Sequence, residues 1–273
     1  MLTTQLEAAA TAPPPAEEAI GVELRGVTRR FRSSHSGEVV ALRGLDLFAA
    51  DGELLAVVGP SGCGKSTLLE LLAGLGDPDE GSVAARGTAS REGRLAACAY
   101  MPQRDLLLPW RDALANAALA LEVQGVHAAA ARRRALPLFE RFGLSEFASA
   151  LPAELSGGMR QRVAFLRTLL VGRPVLLLDE PFGALDSITR AAMQEWLAEA
   201  LAAESRTVVL VTHDVREALY LGDRVAVLSP RPGRLVAELA VAFERPRPRR
   251  ETVTDPAFAR LEERALEALE APR

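Results

Sequence analysis

The sequence predicts an α/β fold with a mainly parallel sheet, an antiparallel β-rich subdomain at its amino-terminal end and a helical subdomain inserted in its middle. Three observations predict it. Residues 54–58, 175–178 and 207–212 are short apolar runs, which suit strands buried on both faces. Helical stretches rich in Ala, Leu, Glu and Arg separate these runs, as crossovers between parallel strands require. The region from about 104 to 165 reads as helical throughout, with no strand signal of its own.

Residues 1–20 are rich in Ala, Pro and Glu, with Pro13, Pro14 and Pro15 in succession, and are expected to form a disordered tail. Residues 22–27 alternate apolar and polar as a strand does. A second strand is expected over about 39–48, closed by the turn pair Asp51-Gly52. The run 54–58 ends in a glycine-rich loop, and residues 68–75 then read as a helix. A strand is expected around 95–101, a helix over about 187–203 and further strands at 207–212 and 225–228. Residues 21–235 are taken as one domain, and 236–273 as an extension. In that extension Arg245-Pro246-Arg247-Pro248-Arg249-Arg250 is expected to be a solvated linker, with contact to anionic lipid head groups as the alternative. One amphipathic helix, about 256–270, follows it, with Phe258, Leu261, Ala265, Leu266 and Leu269 on one face.

Composition narrows the function. The 273 residues are 49% hydrophobic and 25% charged, an ordinary globular balance. A formal net charge of −4 gives no electrostatic case for a nucleic-acid partner. No stretch of about 18 apolar residues offers a membrane span, and no secretory leader is visible. The two cysteines, Cys63 and Cys98, suit a reduced protein better than a disulfide framework. Lys65 is the one lysine, so every other basic side chain apart from histidine is arginine. An ammonium is a compact point charge and a guanidinium a broad planar fork, so the exception marks a place where the fork will not serve.

That lysine lies in Gly59-Pro60-Ser61-Gly62-Cys63-Gly64-Lys65-Ser66-Thr67, which fits G-x-x-x-x-G-K-[ST] with a strand before it and a helix after it. Backbone amides of such a loop surround phosphates, the lysine reaches the β- and γ-phosphates, and the Ser66 hydroxyl is placed to ligate Mg²⁺. The chain is thus expected to have a P-loop NTPase core that binds ATP. Asp179-Glu180 closes the strand at 175–178. In P-loop ATPases an aspartate there helps to hold Mg²⁺, and a glutamate after it can polarise the attacking water. Ser156-Gly157-Gly158 opens a helix, as either a second anion site or a plain N-cap. A GTPase switch is excluded, because its Asn-Lys-x-Asp motif cannot be written with Asn116 and Lys65 as the single Asn and Lys.

The segments LSGGMRQR, GPSGCGKST and LLLDEPFGALD together resemble the nucleotide-binding subunits of ABC transporters, over about residues 22–235. The resemblance implies a head-to-tail dimer of two copies, in which Ser156, Gly157 and Gly158 of one contact the γ-phosphate held by the other. It implies that Gln103 senses Mg²⁺ and γ-phosphate and that His213 holds the γ-phosphate and orients Glu180. It places Asp186 at the dimer interface and Phe31 against adenine, with a core position as the alternative for Phe31. The pieces Leu106-Leu107-Leu108-Pro109-Trp110 and Arg231-Pro232-Gly233-Arg234 resemble the nitrate/sulfonate/taurine-type importer ATPases, a group that includes relatives serving thiamine-precursor pyrimidines. That resemblance implies transmembrane permease subunits, a solute-binding protein acting indirectly, and a peripheral place on the cytoplasmic face of the membrane. Trp110 is expected near the surface that receives the permease, with a core position as the alternative. A soluble ABC ATPase without a membrane partner is the alternative function.

Overall fold

The computed structural model describes residues 20–33, 37–203, 206–245 and 247–270. Apart from Ile20, the expected amino-terminal tail lies outside them. In chain order the elements are β1 (Ile20–Ser33), β2 (Gly37–Ala50), β3 (Leu54–Val58), α1 (Lys65–Leu72), β4 (Glu80–Ala85), α2 (Arg91–Ala97) and β5 (Cys98–Met101). Next come α3 (Ala113–Val123), α4 (Ala128–Arg141), α5 (Gly157–Leu170), β6 (Val175–Asp179), α6 (Ser187–Ala203), β7 (Thr207–Thr212) and α7 (Val215–Leu221). The chain continues through β8 (Arg224–Leu228), β9 (Leu235–Ala240), α8 (Arg249–Thr254) and α9 (Pro256–Glu270).

Two sheets form. The smaller is antiparallel, with order β2-β1-β4. The larger has the order β5-β6-β7-β3-β8-β9, parallel except for β9, which returns antiparallel to β8. Side chains of successive strand residues point to opposite faces, and the large sheet uses that period to separate two cores. Leu55, Val57, Leu177, Val209 and Val211 pack with the small sheet and α1. Leu54, Ala56, Val58, Leu176, Leu178, Val208 and Leu210 pack with the inserted helices and the carboxy-terminal ones.

The structure adds strand β4, which the sequence did not signal, and departs from the sequence-based expectations at four further places. Residues 95–97, expected to open a strand, instead close a helix over 91–97 that Ser90 caps, its side chain accepting from Gly93 N at 3.1 Å. The stretch from 102 to 112 is loop, and three separate helices replace one continuous helical block. The carboxy-terminal region contributes a sheet strand and a short helix besides the expected amphipathic one, on which Leu266 is exposed. The arginine run is not a solvated linker. Arg247 is buried and donates to the carbonyls of Tyr220, Gly222 and Phe243, while both Arg245 and Arg247 pair with Asp223. The Tyr220 and Gly222 carbonyls and Asp223 lie where α7 hands over to β8, so the run ties the extension to the main sheet.

Candidate nucleotide site

Parallel strands place ligand sites at their carboxyl ends, and here β3, β5, β6 and β7 all end on one cavity and its immediate edge. After β3 the chain turns through Gly64, whose φ of 106° is left-handed. A Cβ there would lie 2.8 Å from the Ala41 carbonyl oxygen, so the position admits glycine alone. Helix α1 then starts with no side-chain cap and no acidic residue in its first turn, which leaves its first amides free for an anion. Lys65 is buried, and its Nζ donates to the carbonyls of Gly59 at 2.7 Å and Pro60 at 3.0 Å. A desolvated ammonium needs such partners, and its remaining contact is a long one, to Cys63 Sγ at 3.9 Å, weak enough to be exchanged for a phosphate oxygen.

Asp179 ends β6 and is buried. Burial pushes its carboxyl above the ordinary value, opposed by a hydrogen bond from Ser66. Burial foremost raises the phenol of Tyr100, on β5, and the Asp179 charge beside it, to which it hydrogen-bonds, raises it further. Glu180, the next residue, has a φ of 48°, a left-handed backbone in a residue with a full side chain. Such a conformation costs on the order of 1–3 kcal/mol and persists only where its surroundings enforce it. They do so here. Its N–H donates to Val211 O at 2.9 Å, and its carbonyl accepts from Gln161 Nε2 at 3.3 Å and Gly183 N at 3.2 Å. The carboxylate is held by two neighbours: Gln103 Nε2 at 3.1 Å from Oε2, and His213 Nδ1 at 3.2 Å from Oε1. Register explains the meeting. Asp179 is opposite Val211 in the β6–β7 pair and Leu178 opposite Met101 in the β5–β6 pair, so the residues just past each strand converge.

The cavity, of about 330 Å³, is lined by Phe31, Ser61, Gly62, Gly64, Lys65, Ser66, Thr67, Gln103, Asp179 and Glu180. Phe31 is exposed and faces Val39 across the β1–β2 ladder, so it is no core residue. Gly59, Pro60 and Cys63 support the loop from beneath, and the Cys63 thiol is fully buried, its pKa raised by that burial. His213 sits on the far side of Glu180, with Thr212, Asp214 and Glu217 around a small cleft. Ser156, Gly157, Gly158 and Asp186 do not reach the cavity of their own chain. Ser156 Oγ accepts from Met159 N at 3.2 Å as an N-cap, and Asp186 Oδ1 accepts from the N–H groups of Ile188 and Thr189. These hydrogen bonds, Thr189's foremost, hold the Asp186 carboxyl below its ordinary value.

Sequence reasoning missed Arg231, Val39 and Ala41 as cavity residues. Val39 and Ala41 carry no chemical signal, since only pairing with β1 brings them there. Arg231 stands in a segment that the sequence marks by resemblance alone. Its place follows from the return after β8, where Gly233 N donates to Ala41 O at 2.8 Å and Arg43 N to Gly233 O at 3.1 Å.

A phosphate loop, a strand-end acidic pair and a carboxylate held by an amide and an imidazole define a P-loop ATPase. Comparison with known proteins gives the family. The family model for the ABC transporter matches residues 42–183. The aliphatic sulfonates import ATP-binding protein SsuB 1 of Rhodococcus jostii is 45% identical over 86% of this chain and 89% of its own. The taurine import ATP-binding protein TauB of Pseudomonas aeruginosa is 44% identical over 83% of this chain and 87% of its own. The formylaminopyrimidine import ATP-binding protein ThiZ of Halalkalibacterium halodurans is 44% identical over 74% of this chain and 78% of its own. Among solved structures, a dimeric post-hydrolysis state of the ATP-binding cassette MJ0796 bound to ADP and Pi superimposes with a TM-score of 0.75. It is 31% identical and covers 82% of this chain and 100% of its own. The chain belongs to the ABC transporter ATP-binding family, and it is an ABC-type ATPase.

Proposed function

We propose that this chain is the ATP-hydrolysing subunit of an importer for a small organic solute of the sulfonate, taurine or formylaminopyrimidine type. The observation that carries the reading is the Glu180 carboxylate, held between Gln103 and His213 at the mouth of the phosphate loop. Glu180 acts as the general base that takes a proton from the attacking water. Lys65 and the loop amides 61–67 neutralise the β- and γ-phosphates, His213 orients Glu180 and holds the γ-phosphate, and Phe31 stacks on adenine. The hard oxygen donors Ser66 and Asp179, already hydrogen-bonded to each other beside Lys65, fit Mg²⁺, with Gln103 as a further ligand. When bound, Mg²⁺ supplies charge neutralisation across the β- and γ-phosphates.

A second copy completes the site head to tail. Ser156, Gly157 and Gly158 are turned away from their own chain's cavity, and Asp186 stands beside them, Gly158 packing on residues 184 and 185. Transmembrane permease subunits dock on the loop after Gln103, where Leu106 and Trp110 are exposed, and a solute-binding protein acts through the permease. The chain is then peripheral, on the cytoplasmic face of the membrane, and among the described residues no helix is long and apolar enough to cross it. The reading is tested by assaying MgATP hydrolysis by the purified chain and by reconstituting it with the permease encoded beside it. Hydrolysis stimulated by the permease and by a sulfonate-, taurine- or formylaminopyrimidine-loaded binding protein is expected. A chain that hydrolyses ATP but ignores every membrane partner would overturn the importer assignment.

A further inference from the structure

A buried hydrogen-bonded chain connects the carboxy-terminal extension to the loop that carries His213. Gln194, on α6, is buried, as is Glu217 on α7. Gln194 Nε2 donates to Glu217 Oε2 at 2.7 Å, and Gln194 Oε1 accepts from Arg249 Nη1 at the start of α8. The Glu217 carboxylate also accepts from the Thr212 hydroxyl. Thr212 Oγ1 in turn accepts from Asp214 N at 3.1 Å, and Asp214 Oδ1 caps α7 through the N–H groups of Arg216 and Glu217. His213 is therefore flanked by Thr212, whose hydroxyl bonds the Glu217 carboxylate, and by Asp214, whose carboxylate accepts from the Glu217 N–H. Arg249 is fixed in its own right, with its guanidinium 5.0 Å from the centroid of the Tyr220 ring.

The chemistry of the middle member makes the connection directional. A glutamine amide offers donors at nitrogen and acceptors at oxygen. Here the carboxylate demands the nitrogen and the guanidinium demands the oxygen, so the two ends jointly fix one amide orientation. Without Arg249 only the Glu217 end holds the amide, the buried Gln194 oxygen loses its charged donor, and the Gln194–Glu217 bond loses the partner that polarises and positions it.

We propose that Arg249, Gln194 and Glu217 are positioning residues for His213, so that the docking of the carboxy-terminal helices sets the rate of hydrolysis at the nucleotide site. The inference rests on the reading of His213 as the residue that orients Glu180. It makes the extension a control element of the ATPase: whatever loosens α8 slows turnover while ATP still binds.

The test is steady-state MgATP hydrolysis and nucleotide-binding stoichiometry on the full chain. Arg249→Ala is expected to lower kcat about fivefold to tenfold with KM and the bound-nucleotide stoichiometry unchanged. Arg249→Lys, which restores a donor to Gln194 Oε1, is expected to recover most of kcat. Arg249→Ala combined with Gln194→Leu is expected to be little worse than Gln194→Leu alone, because both break one path. A loss of kcat matched by a loss of binding-competent protein would mean that Arg249 only holds the fold together, and would overturn the relay. So would Arg249→Ala with kcat within about twofold of the parent while His213→Ala is inactive; the functional reading would then stand. If His213→Ala itself hydrolyses ATP normally, the reading of His213 and the relay fall together.

Discussion

The phosphate loop and the strand-end cluster face one cavity, yet they are made differently. The loop, from Gly59 to Thr67, is one contiguous segment whose lysine is satisfied by carbonyls five and six residues away. The cluster draws Gln103, Glu180 and His213 from the ends of three strands, and each contact spans a crossover. The loop therefore depends on local backbone conformation, while the cluster depends on sheet register. A defect in the first should appear as lost binding, and a defect in the second as lost chemistry.

The largest expected effect falls on the cluster. Glu180→Gln keeps the shape and the contact to Gln103 but removes the carboxylate proposed as the base. Hydrolysis is expected to fall by about 10²–10⁴-fold with ATP binding retained. Turnover near that of the parent would mean that another group takes the proton. Next is Lys65→Arg in the loop. The site holds a compact ammonium against two carbonyls in a buried niche, and a planar guanidinium cannot repeat that geometry. ATP affinity is expected to weaken by roughly tenfold or more, read by nucleotide titration. A Lys65→Arg variant binding as tightly as the parent would mean that this chain's single lysine reflects codon usage alone.

The third test strikes the join between loop and sheet. A Cβ on Gly233 would lie 2.2 Å from the Cys63 carbonyl oxygen and 3.1 Å from the Leu42 side chain. Gly233→Ala must push the phosphate loop aside, at a cost of about 1–3 kcal/mol. Thermal unfolding should show a fall of several degrees, with weaker ATP binding beside it. An unchanged Tm would mean that the return loop after β8 gives way freely. Arg231→Ala is milder. Arg231 lines the cavity and has no ion pair or hydrogen bond among the described residues, so its charge is available to the nucleotide. An exposed cation of this kind contributes about 0.2–1 kcal/mol, so KM for ATP should rise no more than about fivefold with kcat unchanged.

The same contrast explains what was legible beforehand. The phosphate loop was readable because its function is written in consecutive residues, and the apolar runs ending in Val58, Leu178 and Thr212 gave three strands of the parallel sheet. Asp179 and Glu180 were readable as a strand-end pair, but the left-handed backbone of Glu180 was not, since a glutamate gives no signal for it. Gln103 and His213 stood out by resemblance, and their meeting on one carboxylate needed the strand register. Strand β4 was missed because Glu80-Gly81-Ser82 is exposed and polar and is held by pairing with β1 alone. The roles of Arg245 and Arg247 were misread because a run of arginines looks solvated until buried carbonyls are found to receive it.

The smallest effect comes from the two cysteines, which report on the two regions separately. Cys63 lies inside the phosphate loop, and Cys98 opens β5, the strand that leads to Gln103. Both thiols are free and buried. Burial pushes the Cys98 thiol up to about 12, so at pH 8 almost none of it is thiolate in the folded protein, and thiolate is the reactive form. Cys98 should then be alkylated only through opening of the sheet, at a rate that tracks global stability. Cys63 is also raised by burial but stands beside the Lys65 ammonium, which opposes the shift. Its cover is a loop rather than a sheet, so it should react a few times faster than Cys98, by local opening. MgATP, by bridging the loop amides and Lys65, should slow Cys63 and leave Cys98 changed only as much as the whole protein is stabilised. Equal rates at both thiols, shifted equally by nucleotide, would show that the loop opens only with the sheet, and the two regions would then be one cooperative unit despite their different construction.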